Sequence, residues 1–346
     1  MSRMPRTDVL KKAAFWSVVS VPGIILFALL LLIAAAALVI YISRDPGAFA
    51  IATPLHEIAR DVYERQRSIW QAQSHCIVFD ELLFYKPKPG KCQFSNLEFS
   101  TILTFDARGF RQTAPPIKSH LRPDRGRLIV VGDSQAMGWG VQDEETFASV
   151  LAAEHGFEVF NLAVSSYGTA RELLRLQNEF DLRNDDIVVI QYNLNDLNEN
   201  LAFLKSDGLP RRSPSHLGLL EHTPQRYEIF QVAASIAFIV KGRVIEAIQA
   251  FFGEVDIRSR ERHAETFLAV LAHFHELDRA RVVVCEVADF GEPTSFIEDL
   301  RLLADGRFTL IAPVLDTTDF FTLDPHLNPI GHRKLARVIS SALDSP

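Results

Sequence analysis

From residue 128 to the C-terminus the chain alternates short, β-branched apolar runs with stretches of helical periodicity, and few folds accommodate that alternation. The apolar runs lie at 128–131, 158–162, 186–191, 281–287 and 308–313. Helical patterns near 145–155, 170–180, 262–277 and 294–304 separate them, and a last helix is expected near 329–343. Runs without a polar residue at every second position suit strands buried on both faces, as in a parallel sheet covered by helices. The chain is therefore expected to be α/β: a three-layer α/β/α sandwich with a mostly parallel, flavodoxin-like sheet.

The first of these runs, Leu128 to Val131, meets Gly132, Asp133 and Ser134 directly. Glycine permits the sharp turn that lifts the next side chains out of the sheet, and open α/β folds place their ligands at that end of their strands. A helix following Ser134 would turn its N-terminal N–H groups towards negative charge developing at the hydroxyl. Near the other end of the chain stands Asp324-Pro-His-Leu-Asn-Pro-Ile-Gly331. Residues i and i+2 of an extended segment point to the same side, and Pro325 biases Asp324 towards that geometry. Asp324 can then orient His326 as the base for a Ser134 nucleophile. His332 competes for the base role, but it falls inside the expected helix and has no acid beside it.

Two further blocks complete a pattern that resembles the SGNH/GDSL hydrolase family over roughly residues 127–346. They are Asn161-Leu-Ala-Val-Ser-Ser-Tyr-Gly-Thr169 and Asn193-Leu-Asn195-Asp196. The resemblance implies that Ser134 is the nucleophile, and that its N–H, a backbone N–H of Ser166 or Gly168, and the Asn195 amide form an oxyanion hole. Relatives usually carry glycine about where Ser166 stands, and Gly168 comes two residues late; Asn193 also replaces a usual glycine. Asp133 and Asp196 are expected to support the nucleophile loop and the strand end. Most relatives place the acid three residues before the histidine. The two-residue spacing here resembles the periplasmic polysaccharide O-acetylation branch of the superfamily.

The expected chemistry is acyl transfer through an acyl-serine, without cofactor or metal. The leading reading is an esterase for short acyl or acetyl esters on cell-envelope glycans. An O-acyltransferase delivering acetyl to such a glycan is the alternative, and an inactive binding or assembly module the third. His273 and His275 face different sides of an expected helix and do not form a metal site, and no Gly-Lys-Ser/Thr follows the glycines 132, 138 and 140.

No charged residue occurs from Ala13 to Ser43, and Ile24 to Ile42 is nearly all apolar. A bilayer needs about 20 such residues. Arg3, Arg6, Lys11 and Lys12 precede this stretch and Arg44 alone follows closely. Residues 1–12 are therefore expected in the cytoplasm, 13–43 as a single uncleaved inner-membrane anchor, and the remainder on the periplasmic side. Residues 44–75 read as a juxtamembrane helix and linker, with Thr53-Pro54 opening the helix. Residues 76–126 read as a small β-containing cover, and about 200–258 as a helical insertion in the catalytic region. Cys76 and Cys92 flank a turn-rich loop, which leaves a disulfide open, while Cys285 falls in an apolar run. A net charge of −7 with no basic stripe argues against nucleic acid as a partner. Expected partners are an acylated substrate, the inner membrane and other polysaccharide-modifying proteins of the envelope.

Overall fold

The computed structural model describes residues 23–27, 29–31, 33–38, 41, 53–114, 126–206, 208–218, 232–239, 241–242, 245, 262–291 and 294–344. The chain forms two compact units, one of Met1–Gln66 with Arg226–Ile248, the other of Arg67–Gln225 with Gln249–Pro346. Residues 226–248, which fall within the expected insertion, group with the N-terminal segment.

In the first unit, helix α1 (Thr53–Gln66) buries Ala59, Val62 and Tyr63. A helical stretch over 232–239 buries Val232 and Ile239. The Gln66 amide donates to Ser235 Oγ at 2.9 Å, and Arg65 lies 4.2 Å over the Phe238 ring. Within 13–43, residues 23–27, 29–31 and 33–38 are helical and leave Ile24, Leu26, Phe27 and Ile33 largely exposed. The rest of the expected anchor, apart from Tyr41, lies outside the described residues, and among those described no helix is long and apolar enough to cross a membrane.

The second unit begins with two antiparallel hairpins, β1 (Ile77–Asp80) with β2 (Phe84–Pro87) and β3 (Gly90–Ser95) with β4 (Ser100–Phe105). A Cys76–Cys92 disulfide, with Cα atoms 5.2 Å apart, ties the start of one hairpin to the other. Single bridges from Phe105 to Arg111 and from Arg111 to Asn161 attach the second hairpin to the main sheet. Residues 115–125 of this region lie outside the described residues.

The main sheet contains β5 (Arg127–Val131), β6 (Glu158–Asn161), β7 (Ile187–Tyr192), β8 (Arg281–Glu286) and β9 (Thr309–Ile311), all parallel, in the order β6-β5-β7-β8-β9. Strand side chains alternate between faces, and the two cores divide accordingly. Leu128, Val130, Val189 and Val283 pack with α3 (Phe147–His155) and α9 (Pro329–Asp344). Ile129, Val131, Val188, Ile190 and Val284 pack with α4 (Thr169–Glu179), α5 (Leu197–Ser206), α7 (Arg262–Leu271) and α8 (Phe296–Leu303). Strands apolar at every position arise because each residue has a core to enter, so the three layers follow from the composition of the runs.

One expected helix is shorter in the structure. That near 262–277 stops at Leu271 and continues as a 3-10 turn over His275–Arg279. The helix after the nucleophile, α2 (Ser134–Met137), is a single turn ended by Gly138 in the left-handed region at φ +87°. One turn aligns few peptide dipoles, so local N–H donors rather than a macrodipole act at Ser134. Within the expected insertion, α5 is followed by α6 (Pro214–Gly218), while 219–231 and 246–258 lie outside the described residues.

Candidate active site

β5 is the first strand of its sheet in the chain, yet it lies between β6 and β7, so the winding reverses at its C-terminal end, where ligands bind in such sheets. Gly132 occupies that turn at φ +156°, and a Cβ there would come within 2.6 Å of Ala136 Cβ and 2.8 Å of Gln191 Oε1. Only glycine lets the chain pass so close to β7. Asp133 then caps the turn, its carboxylate accepting from the Gln135 N–H at 2.8 Å, and Ser134 follows on α2.

His326 Nε2 lies 2.7 Å from Ser134 Oγ. Its Nδ1 makes a short hydrogen bond with Asp324 Oδ1, which also accepts the His326 backbone N–H at 3.2 Å. The two-residue spacing thus works through a bend rather than the expected extended segment, because the Asp324 carboxylate closes a turn on the N–H two residues on. A carboxylate can only accept, so Nδ1 carries the proton and Nε2 is free to take one from Ser134. His332 is elsewhere: it is fully buried, its Nδ1 accepts from the Phe147 N–H at 3.2 Å, and burial drives its pKa down to about 3. It stays neutral and packs α9 against α3.

Several residues that sequence reasoning passed over hold this pair. Trp139 donates from Nε1 to Asp324 Oδ2 at 3.1 Å and stacks on the His326 ring at 4.6 Å between centroids. Gln135 brackets His326 from both sides, donating to the Pro325 carbonyl at 2.9 Å and accepting from the Leu327 N–H at 3.0 Å. Arg67 Nη1 reaches Asp324 Oδ1 at 3.3 Å and lies 3.4 Å from His326 Nδ1. Glu98, from the β3–β4 loop, accepts the N–H groups of Thr322, Leu323 and Asp324 at 2.7, 2.8 and 2.9 Å. Burial raises its pKa despite those donors. Trp139, five residues past the nucleophile, was legible as an aromatic in the same loop; Arg67 and Glu98 carry no sequence signal, since only folding brings them to the loop.

On the opposite side, Ser166 adopts φ +61°, a conformation that glycine takes without strain. Its hydroxyl accepts from the Gln71 amide at 2.7 Å, and its N–H has no acceptor among the described residues. Gly168 does not serve as expected. Its N–H donates to Glu199 Oε1 at 2.9 Å, and its carbonyl accepts from Arg171 and Glu172 at the start of α4. Of the two backbone candidates, Ser166 is the one with a donor to spare. Asn195 is exposed and its Nδ2 donates to Asp133 Oδ2 at a long 3.4 Å. The Asn193 side chain shapes that turn by accepting the Asn195 N–H at 3.2 Å.

Beneath these donors Asp196 accepts from Thr169 Oγ1 at 2.8 Å, and Glu172 is buried with neither carboxyl oxygen hydrogen-bonded. Burial, reinforced by Asp196 at Glu172 and by Asp133 at Asp196, pushes both well above the usual carboxylate range, and burial also raises Asp133. The neutral form favoured at Asp196 and Glu172 keeps their negative charge away from the place where an oxyanion would form. Among the described residues the one cluster of metal-type side chains is His75, Cys76 and Cys92, and both sulfurs are committed to the disulfide. Cys285 is buried and free, its thiol pushed up to about 12 by burial.

No protein-family model and no curated protein sequence matches the chain. Its fold is loosely similar to several solved structures. A member of the lipolytic G-D-S-L family from Veillonella parvula is 11% identical, with a TM-score of 0.35 over 62% of this chain and 96% of that one. The acetylxylan esterase Axe2 of Geobacillus stearothermophilus is 13% identical, with a TM-score of 0.36 over 64% of this chain and 97% of its own. The α/β hydrolase LAE5 from the metagenome of Lake Arreo is 14% identical, with a TM-score of 0.37 over 63% and 94% of the two chains.

Proposed function

We propose that this chain is a serine-dependent esterase that cleaves short acyl esters through an acyl-serine intermediate. The observation that carries the reading is the unbroken hydrogen-bonded line from Ser134 Oγ through His326 to the buried Asp324. His326 removes the Ser134 proton as Oγ attacks the ester carbonyl, and Asp324 stabilises the resulting imidazolium. The Ser134 and Ser166 N–H groups and the Asn195 amide receive the charge on the carbonyl oxygen. His326 returns the proton to the leaving alcohol, then activates water to release the acid.

The substrate we propose is an acetyl-sized ester on a cell-envelope glycan, reached from an anchor at 13–43. The uncharged run, the basic residues ahead of it and its exposed Ile24, Phe27 and Ile33 support that placement. A fusion of alkaline phosphatase after residue 60 should be active and membrane-bound; an inactive fusion refutes the orientation, and a soluble active product refutes the anchor.

The chemistry is tested by exposing the full chain to a fluorophosphonate and to p-nitrophenyl acetate. Both should modify Ser134 and neither should modify Ser134→Ala. With isotopically labelled acetyl donor and envelope oligosaccharides, free acetate identifies hydrolysis, whereas acetylated sugar identifies transfer. A folded chain that leaves Ser134 unlabelled by both reagents is not an esterase.

A further inference from the structure

Beside the Ser166 and Asn195 donors lies a cavity of about 390 Å³ whose other walls include Arg171, Asn198, Glu199 and Arg212. Its charge is unbalanced. Both oxygens of Glu199 have a partner, with Oε1 accepting from the Gly168 N–H and Oε2 paired with Arg171 Nη2. Arg212, by contrast, has no carboxylate at ion-pair distance among the described residues; its guanidinium lies 4.8 Å over the Phe84 ring. Its charge still reaches Glu199, where it opposes, as Arg171 does, the effect of burial. Arg171 is almost fully buried and its Nε is left without an acceptor. Two guanidinium groups and two amides thus face one carboxylate whose oxygens are already taken.

We infer that this cavity is an anion-binding subsite, and that the ester substrate carries a carboxylate or phosphate on the sugar next to the acylated position. The inference rests on the esterase reading above for the identity of the neighbouring site. An uncharged alkyl chain would gain little here, since it would bury unpaired guanidinium and amide donors against hydrocarbon. An oxyanion instead accepts from Arg212 in the fork geometry that guanidinium offers, and its charge is compensated where Glu199 cannot compensate it.

A second space of about 980 Å³ shares Pro210 and Arg212 with the first and is lined further out by Phe79, Leu82, Leu209 and Arg211. Glu81 is the one acid on that outer wall. A substrate that fills both is longer than a single sugar, with apolar surface for ring faces and a second arginine along the path. That geometry fits an acidic oligosaccharide rather than a small acid.

The test uses the full-length Ser134→Ala chain, so that binding is read without turnover. Isothermal titration compares three probes: acetylated trigalacturonate, its uncharged methyl ester, and acetylated maltotriose bearing one phosphate. At least one anionic probe should bind tenfold or more tightly than the methyl ester, and which anion binds better identifies the group the site takes. Adding Arg212→Gln should bring the anionic probes to the level of the methyl ester, and Arg212→Lys should restore part of the difference. The preference should shrink at high salt. Equal binding of charged and uncharged probes, binding of none, or a preference that survives Arg212→Gln overturns the subsite. An unlabelled Ser134 in the fluorophosphonate experiment, with anion preference intact, overturns the esterase reading alone.

Discussion

On the acid–base side of the cleft, His326 is stacked on Trp139, bonded at both ring nitrogens and bracketed by Gln135, and the loop that carries it hangs from Glu98 by three N–H groups. On the oxyanion side, Ser166 and Asn195 are exposed, and the amide of Asn195 is held by one long bond to Asp133. The base must stay aligned through proton transfer to within tenths of an ångström, so the fold surrounds it. The oxyanion donors must leave room for a carbonyl, so they line the wall of the smaller cavity. Substitutions on the first side should therefore act by losing alignment, and those on the second by losing a single interaction.

The largest effect is expected at the buried acid. Asp324→Asn keeps the volume of the side chain but can donate to His326, which favours the wrong tautomer; turnover of p-nitrophenyl acetate should fall by about 10⁴, as in other serine triads. Unchanged far-UV circular dichroism together with that loss supports the role, and near-normal turnover would move the orienting task to another group.

Loss of a single oxyanion donor should cost less. Asn195→Ala should lower kcat by about 10²–10³ with KM little changed, the effect of removing one such donor elsewhere. Because Asn195 is exposed, its truncation should leave the thermal midpoint nearly unaltered. A drop in stability as large as the drop in rate would show instead that Asn195 holds the loop through Asp133.

Glu98→Gln sharpens the contrast between the sides, because Glu98 acts on the backbone of the loop that carries Asp324. One amide oxygen cannot satisfy three N–H donors, and the amide NH₂ would face a donor. The cost should be about 0.5–1.5 kcal/mol of stability, the range for losing one hydrogen bond, since the Thr322 N–H is exposed. A loss in kcat of about tenfold should accompany it as the Thr322–Asp324 loop loosens, measured alongside the melting curve. An unchanged rate in a destabilised variant would mean that Trp139, Gln135 and Arg67 align His326 without help.

The same contrast separates what was legible in the sequence from what was not. The sheet was readable because each strand is apolar on both faces, and that pattern has few alternatives. Ser134 was readable because a glycine turn aims its side chain, and His326 and Asp324 because they stand two residues apart, although the segment bends where an extended one was expected. The parts that depend on long-range contact were not readable. Glu98 and Asp324 are far apart in sequence, and nothing near Glu98 marks it as the anchor of a loop from the other end of the chain. Ser166 and Gly168 could not be told apart as donors for a related reason, since only the approach of Glu199 from α5 shows that the Gly168 N–H is taken. The grouping of 226–248 with the N-terminal unit is likewise a matter of tertiary contact.

The smallest effect is expected at Ser166, where the side chain and the backbone make opposite demands. The left-handed conformation costs a residue with a Cβ about 1 kcal/mol, which glycine would recover. Glycine also gains freedom in the unfolded chain, at a cost of roughly 0.5–1 kcal/mol, and Gln71 would lose its hydroxyl partner. These terms nearly cancel, so Ser166→Gly should shift the thermal midpoint by only a few degrees. If the Ser166 N–H is the donor, kcat/KM for p-nitrophenyl acetate should stay within about threefold, because a backbone donor is indifferent to the side chain. Ser166→Val should do worse on both counts, since a β-branched residue is poorly accommodated at φ +61° and would pull the N–H out of line. A loss of a hundredfold or more in Ser166→Gly would assign the catalytic role to the hydroxyl, and the open side of the cleft would then depend on a side chain where the fold supplies a backbone.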